Sequence, residues 1–285
     1  MASTTENTTA SQKPRITVRR ATPADAQDLA SIHFDAFGPD VMDRLMYPGG
    51  VTDSARSQFC KDLFTLPYDI NSNKDEKPAS ATGAAATTTT TSSPAAENIV
   101  MLAELHHPED GEGAANPNPE IVAFAKWELI KEPLPEEKWN VVKEYTSEML
   151  GEGVNVGVYT AFIGDLQRLR RKHLKGDPLL HLDILACRTG RQRLGAGTAL
   201  LNWGNELADR EGKMHWLDAS PKGYALYKRL GFEDVDVQDL NITELWGVTR
   251  AEGEDWGAGS AVVLAGPLAD GCHRATMMKR FPKKR

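Results

Sequence analysis

Short apolar and alternating runs, separated by stretches of helical spacing, divide the chain. Ile16–Arg20 alternates apolar and polar positions and predicts a half-buried strand. Ala21-Thr22-Pro23-Ala24-Asp25 then announces a helix: Thr22 suits the cap, Pro23 the first helical position and Asp25 the positive helix end. Leu29, Ile32, Phe34 and Phe37 give that helix an apolar face before Gly38-Pro39 stops it. The turn Tyr47-Pro48-Gly49-Gly50 precedes a second helix predicted over Val51–Leu66. Asn98–Leu105 and Ile121–Leu129 read as two strands of an antiparallel hairpin across a Gly/Pro/Asn loop, His106–Pro119. Val158–Lys175 carries Phe162, Leu166, Leu169 and Leu174 at helical spacing, with Arg168, Arg170, Arg171 and Lys172 crowding its C-terminal half. Cations at the negative end of a helix explain that crowding better than a lining for a phosphate-bearing ligand does.

Leu179–Cys187, dominated by Leu and Ile, predicts a strand buried on both faces. After a link, Arg188–Arg191, a helix runs from about Gly197 to Arg210, with Leu200, Leu201, Leu207 and Ala208 inward and Gly212 at its end. Met214–Ala219 is a further strand. Ser220-Pro221 caps a helix over Lys222–Leu230, Gly231 closes it, and Phe232–Val237 starts the next strand. This β-α-β-α-β order makes an α/β domain. Strands Ser260–Leu264 and His273–Lys279, after the loop Gly253–Gly259, are expected to finish the sheet.

Composition sets limits on this plan. With 285 residues, 40% apolar and 26% charged, the chain can bury a sizeable core, and residues 15–280 read as one domain. Residues 1–14 read as a disordered tail. They lack the apolar core of a secretory signal and the arginines of a transit peptide. Residues 71–97, with AAATTTTTSSPAA, form a low-complexity insertion, and residues 131–157 an acidic, proline-punctuated segment suited to a lid. The basic residues 281–285 read as a solvated tail in preference to a nuclear signal. A net charge of -7 argues against bulk affinity for nucleic acid or anionic membrane, and no apolar run is long enough to span a bilayer. Cys60, Cys187 and Cys272 make neither a disulfide framework nor a zinc spacing. They fit a reducing cytoplasm, with the nucleus as the alternative. His106-His107 lack a third ligand, so no metal is expected.

The candidate chemistry centres on His181–Gly197, HLDILACRTGRQRLGAG. Unpaired amides and the dipole at a helix start bind phosphate oxygens, and Gly195 and Gly197 let an anion approach the backbone. A P-loop needs Gly-Lys-Ser/Thr, which is missing. A dinucleotide fingerprint needs a third glycine where Leu200 stands. A pyrophosphate loop of the form Gln/Arg-x-x-Gly-x-Gly/Ala is met by Gln192, Gly195 and Gly197.

With its central strand Leu182–Cys187, four-residue link, Gln192–Gly197 loop and the downstream run Ser220–Phe232 ending Leu-Tyr-x-x-Leu-Gly-Phe, the chain resembles the GNAT superfamily of N-acetyltransferases. The strand–helix start at Ile16–Asp25 and Phe124-Ala125-Lys126-Trp127-Glu128 fit too, the latter resembling fungal members. The resemblance covers about residues 15–66, 98–130 and 158–238. It implies an α/β (α+β) fold with a mixed, mainly antiparallel seven-stranded sheet flanked by helices. It also implies acetyl-CoA as co-substrate, no metal, and transfer to a primary amine in a ternary complex. A small-molecule amine is the favoured acceptor. The alternatives are a protein lysine or N-terminal amine, or a non-catalytic acyl-CoA-binding module.

Site roles follow from the same resemblance. Leu185–Cys187 would splay from the neighbouring strand and meet the pantetheine arm. Amides of Arg193, Leu194, Gly195, Ala196, Gly197 and Thr198 would hold the pyrophosphate, with Gln192 in the loop. Ser220 stands where many members carry a cofactor-contacting Asn. Tyr227 is the candidate general acid, since a phenol of pKa about 10 can protonate a thiolate. His181 is the first candidate base, with Asp183 and Glu128 behind it. His181, Asp183 and Leu185 are expected on one strand face by the period of two. Cys187 reads as a small buried hydrophobe in preference to a ping-pong nucleophile.

Overall fold

A computed structural model describes residues 15–65, 95–106 and 119–283. Seven strands form one sheet: β1 Arg15–Arg20, β2 Ala96–His106, β3 Glu120–Ile130, β4 Leu179–Cys187, β5 Met214–Ala219, β6 Glu233–Asn241 and β7 Cys272–Arg280. Their order is β1-β2-β3-β4-β5-β7-β6. β4 and β5 pair in parallel, and every other neighbouring pair is antiparallel. This is the mixed, mainly antiparallel sheet that the resemblance implies.

Helices cover both faces. The long helix α5, Ala196–Glu211, packs Leu200, Leu201, Leu207 and Ala208 against Met101, Ala125, Trp127 and Leu182. Gly204 is what lets it approach: a Cβ there would lie 2.7 Å from Trp127 Cζ2. Beneath that contact the Trp127 indole donates to His215 Nε2 at 3.1 Å, and His215 Nδ1 meets Asn205 Oδ1 at 2.9 Å. Burial pushes the His215 pKa down to about 3, so the ring stays neutral and links its neighbours without a buried charge. On the opposite face α1, Ala26–Phe37, and α3, Asp53–Leu63, bring Leu29, Ile32 and Leu63 against Val100, Leu102, Phe124 and Ala186. Between them lies a short helix, α2, Val41–Met46. Of the helix predicted over Val51–Leu66, the described part is helical from Asp53 to Leu63, after Thr52 caps it by accepting from the Ala55 amide, and Leu66 lies outside the described residues.

The helix predicted over Val158–Lys175 starts as a turn at Val156–Tyr159 and passes through a π-helical stretch, Thr160–Gly164. It continues as α4, Asp165–Leu174, whose Leu166 and Leu169 pack on Ile130, Leu179 and Trp216. Its basic run is paired as expected of a solvated helix end: Arg168 with Asp165 at 2.6 Å, Arg170 with Asp218 at 2.7 Å and Lys172 with Asp236 at 2.8 Å. The last of the long helices, α6, spans Pro221–Arg229.

Two expectations fail. Ser260–Leu264 is not a strand: Val262–Ala265 forms one helical turn, with Val263 fully exposed. β7 is bonded on one side by β5 and on the other by β6, so the sheet offers no edge there. The carbonyls of Ser260 and Gly266 instead accept from the buried Arg274 guanidinium. Ala96 and Glu97, placed in the insertion by composition, belong to β2, where Ala96 opposes Ile130. Residues 1–14, 66–94, 107–118 and 284–285 lie outside the described residues, and with them the N-terminal tail, nearly all of the insertion, and His107. Among the described residues no helix is long and apolar enough to cross a membrane.

Candidate active site

The parallel ladder between β4 and β5 is short: it runs from Leu179↔Met214 to Leu182↔Leu217 and stops, although β4 continues to Cys187. The backbone groups of β4 beyond Leu182 therefore lack a partner strand on that side. At the same point β4 carries a bulge. Lys126 opposes Ile184 and Trp127 opposes Leu182, so Asp183 is the extra residue. An extra residue reverses the alternation of faces. Leu182, Leu185 and Cys187 pack on the α5 side, while Ile184 and Ala186 face the α1 side. Leu185 therefore does not share a face with His181, contrary to the period-two expectation.

A cavity of about 1650 Å³ opens where the two strands part. At one end it is lined by Leu185, Cys187, Gln192, Arg193, residues 195–198, Ser220 and Tyr227. Of the residues predicted for a cofactor, Leu194 alone is off this wall, with its side chain pointing to solvent. The loop adopts left-handed backbone at Arg193 and Gly195, with φ of 64° and 92°, and α5 begins at Ala196, one residue earlier than predicted. The Ala199 amide bonds back to Gly195 O at 2.9 Å, so the first-turn amides before it have no intrahelical acceptor. The Gln192 side chain donates to Cys187 O at 3.4 Å and ties the loop to the end of β4. Thr189 anchors the loop to α1 through Asp35. Ser220 caps α6 by accepting from the Gly223 amide at 3.3 Å, which commits its oxygen to the helix and leaves its hydroxyl hydrogen to donate.

Tyr227 is 7% exposed. Gly223 makes room for its ring: a Cβ at that position would lie 2.8 Å from Tyr227 Cε2. Burial, with Cys187 beside it, holds the phenol pKa far above its usual range. Burial also pushes the Cys187 thiol up to about 11, so it is a protonated thiol at neutral pH.

The other end of the cavity is charged. Glu128 and His181 oppose each other across β3 and β4, with Nδ1 and Oε2 3.8 Å apart. They are 7% and 5% exposed, and Glu128 Oε1 and His181 Nε2 have no hydrogen-bond partner among the described residues. Asp183 pairs with Lys126 at 3.1 Å. Burial alone would raise the Asp183 pKa, but Lys126, His181 and Arg170 outweigh it and hold the carboxyl well below its usual range. Lys143, from the acidic segment, also lines this end. Burial lowers its pKa against the pull of Glu128, Asp62 and Asp183. Tyr145, Tyr159 and Phe162 add aromatic surface, Tyr145 and Tyr159 meeting edge-to-face at 4.9 Å. Leu134, Trp139, Tyr145 and Met149, from the acidic segment, also line the cavity.

The structure thus brings Tyr227, His181, Asp183 and Glu128 to one cavity. Lys126, Asp62 and Lys143 were not anticipated as site residues. Lys126 was legible in part, because it precedes Glu128 by two on the same strand and must share its face.

No family model matches the chain, and no curated protein matches it in sequence. Solved structures do match. One, described as a histone acetyltransferase HPA2 and related acetyltransferase from Corynebacterium glutamicum, is 17% identical over 95% of this chain and 98% of its own, at a TM-score of 0.45. A mosquito arylalkylamine N-acetyltransferase like 5b is 14% identical over 94% and 100%, at 0.47. Arabidopsis thaliana NAA60, solved with acetyl-CoA, is 14% identical over 94% and 98%, at 0.42. The first two of these are described as acetyltransferases, and the third was solved with acetyl-CoA.

Proposed function

We propose that this chain transfers the acetyl group of acetyl-CoA to a primary amine on a small molecule, by direct attack within a ternary complex. One observation carries the proposal. A single cavity joins the start of α5, where the first-turn amides lack intrahelical acceptors, to a buried, unsatisfied Glu128–His181 pair, across the gap where β4 leaves β5.

The wall at the α5 end suits a coenzyme A thioester. Amides of the first α5 turn, with the helix dipole, hold a pyrophosphate. The freed edge of β4 beyond Leu182 offers hydrogen-bonding groups to an amide-bearing arm. Bound there, acetyl-CoA supplies the activated acyl group.

The chain's own groups then handle two protons. The acceptor ammonium must lose one to become a nucleophile. His181, backed by Glu128 on its Nδ1 side, takes it at Nε2. Asp183 is a poor base because Lys126 keeps it ionised; its charge instead favours an ammonium at the cavity floor. Tyr227 remains a phenol and donates to the departing sulfur. A raised phenol pKa weakens it as an acid toward a thiolate in water. Burial disfavours the anion of a thiol in this pocket too, as at Cys187, so a thiolate leaving here also holds a proton more tightly, which offsets part of the difference. The same protonated thiol argues against an acetyl-cysteine route and for direct attack. Orientation of amine and thioester supplies the remaining acceleration. The acidic segment that contributes Glu137 and Glu148 to the cavity lining favours a cationic acceptor.

Titration calorimetry with acetyl-CoA should give micromolar binding. Thiol release from acetyl-CoA should follow addition of a small amine from a panel that also holds peptides and aminoglycosides. Binding without turnover on any of them would favour an acyl-CoA-binding module, and turnover on peptides alone would move the acceptor to proteins. Tyr227→Phe should lower kcat by about 10²-fold while sparing acetyl-CoA binding. Undiminished turnover would remove the phenol from the mechanism.

A further inference from the structure

Asp43, on α2, is the one cavity carboxylate whose burial none of the chemistry above explains. It is 7% exposed, lines the cavity with Met42, Met46 and Tyr47, and neither donates to nor accepts from any described residue through its side chain. Burying a carboxylate without a partner costs several kcal/mol, about 2–7 even for a neutral polar group. Folds seldom keep one without a use.

Its place in the helix does not account for it. Asp25 stands at the same third position after its cap residue, Thr22. There it accepts from the Thr22 amide and hydroxyl and pairs with Arg19 at 2.9 Å, which hold its pKa near 2. Asp43 does nothing of the kind: the cap residue, Asp40, sends its own carboxylate to Lys222 and its amide to Phe37. Burial, with Asp40 adding like charge, raises the Asp43 pKa to about 7. A single carboxylate facing an apolar and aromatic cavity suits an ammonium group, which one anion and an apolar surround can hold.

Asp43 stands on a different element from the floor charges: α2 packs Val41, Met42 and Met46 with Val158, Ile242 and Trp256, whereas Glu128 and His181 lie on β3 and β4. The cavity that holds both is also lined by apolar and aromatic side chains, Met42, Met46, Tyr47, Phe59 and Tyr159 among them.

We infer that Asp43 is a second cation station, and that the acceptor is a diamine or polyamine whose far ammonium pairs with Asp43 while its near amine reaches Glu128 and His181. The inference rests on the acetyltransferase reading for the identity of the near end, and on Asp43 alone for the far end. A methylene spacer crosses the apolar wall, and the far ammonium supplies the charge partner that the fold leaves out.

The test compares α,ω-diaminoalkanes with n-alkylamines of the same length, titrated calorimetrically into the full chain loaded with coenzyme A. The unmutated chain should bind the diamine of optimal length on the order of 10–100-fold more tightly than the matching monoamine. Asp43→Asn, which keeps the side-chain shape, should collapse that ratio toward unity. A ratio near unity in the unmutated chain overturns the inference, whether or not the variant folds, and so does a preference that survives Asp43→Asn. Loss of acetyl-CoA binding in a parallel titration would instead sink the acetyltransferase reading, leaving the diamine comparison to decide the role of Asp43 separately.

Discussion

Replacing Gly197 with leucine should weaken acetyl-CoA binding by about 10–100-fold, the scale of losing a hydrogen bond to a charged group. The position is tight on one side and functional on the other. Already a Cβ would lie 3.3 Å from Cys187 Sγ and 3.7 Å from Leu226 Cδ2, so a leucine side chain must turn into the gap between β4, α5 and α6. That gap is where the proposed thioester arm leaves β4. Gly195 provides a distinct comparison. A Cβ there meets nothing within 4 Å, but its φ of 92° disfavours any L-residue. Gly195→Ala should therefore act through backbone strain, by about 1–2 kcal/mol, and Gly197→Leu through occupancy. Calorimetry reads affinity, and far-ultraviolet circular dichroism checks that each variant is folded. Acetyl-CoA affinity unchanged in folded Gly197→Leu would remove the loop from the binding site.

His181→Gln should reduce kcat/KM for the amine by about 10²–10⁴-fold at neutral pH, the usual contribution of a positioned base. The loss should shrink as pH rises toward the acceptor's own pKa, near 10 for an alkylamine, because the amine then arrives already deprotonated. Acetyl-CoA binding should hold, since His181 lies at the charged end of the cavity and the amide cluster at the other. A deficit equally large at every pH would mean that His181 shapes the floor without moving a proton. Glu128→Gln then separates orientation from basicity: it removes the carboxylate 3.8 Å from Nδ1 while leaving Nε2 in place. A smaller loss than in His181→Gln would be the signature of an orienting partner.

Much of this arrangement was legible in the sequence, for local reasons. Each of the seven strands was read from a short alternating or apolar run, and the α5 start from a glycine pair behind a polar link. Thr22 and Asp25 announce their capping box three residues apart. What was not legible depends on tertiary partners. Ser260–Leu264 has a strand's composition but meets a β7 whose two edges are taken. The bulge at Asp183 has no composition of its own: a strand of leucines and isoleucines reads the same with or without an extra residue, and only the register against β3 shows the parity change. The site charges divide in the same way. His181 and Glu128 could be found on strands near a recognisable loop. Asp43 could not, because α2 was not foreseen, and a lone acidic residue in a six-residue helix carries no sign that it will be buried without a partner.

The four-pair seam between β4 and β5 has a mechanical meaning. Strands β1 to β4 form one leaf of successive antiparallel ladders, and β5, β7 and β6 form another. Only Leu179–Leu182 against Met214–Leu217 stitches the leaves by main-chain bonds, the shortest ladder in the sheet. The sheet is in effect a book with a short spine, and the cavity is the opening between its pages. α5 leaves the first leaf and delivers the chain to the second, bridging the spine on one face. Side chains do cross the spine: Leu217, Ala219 and Met278 share a cluster with Leu180 and Leu182, and Trp216 shares one with Ile130 and Leu179, so close packing, more than main-chain bonds, sets the angle at which the book stands open.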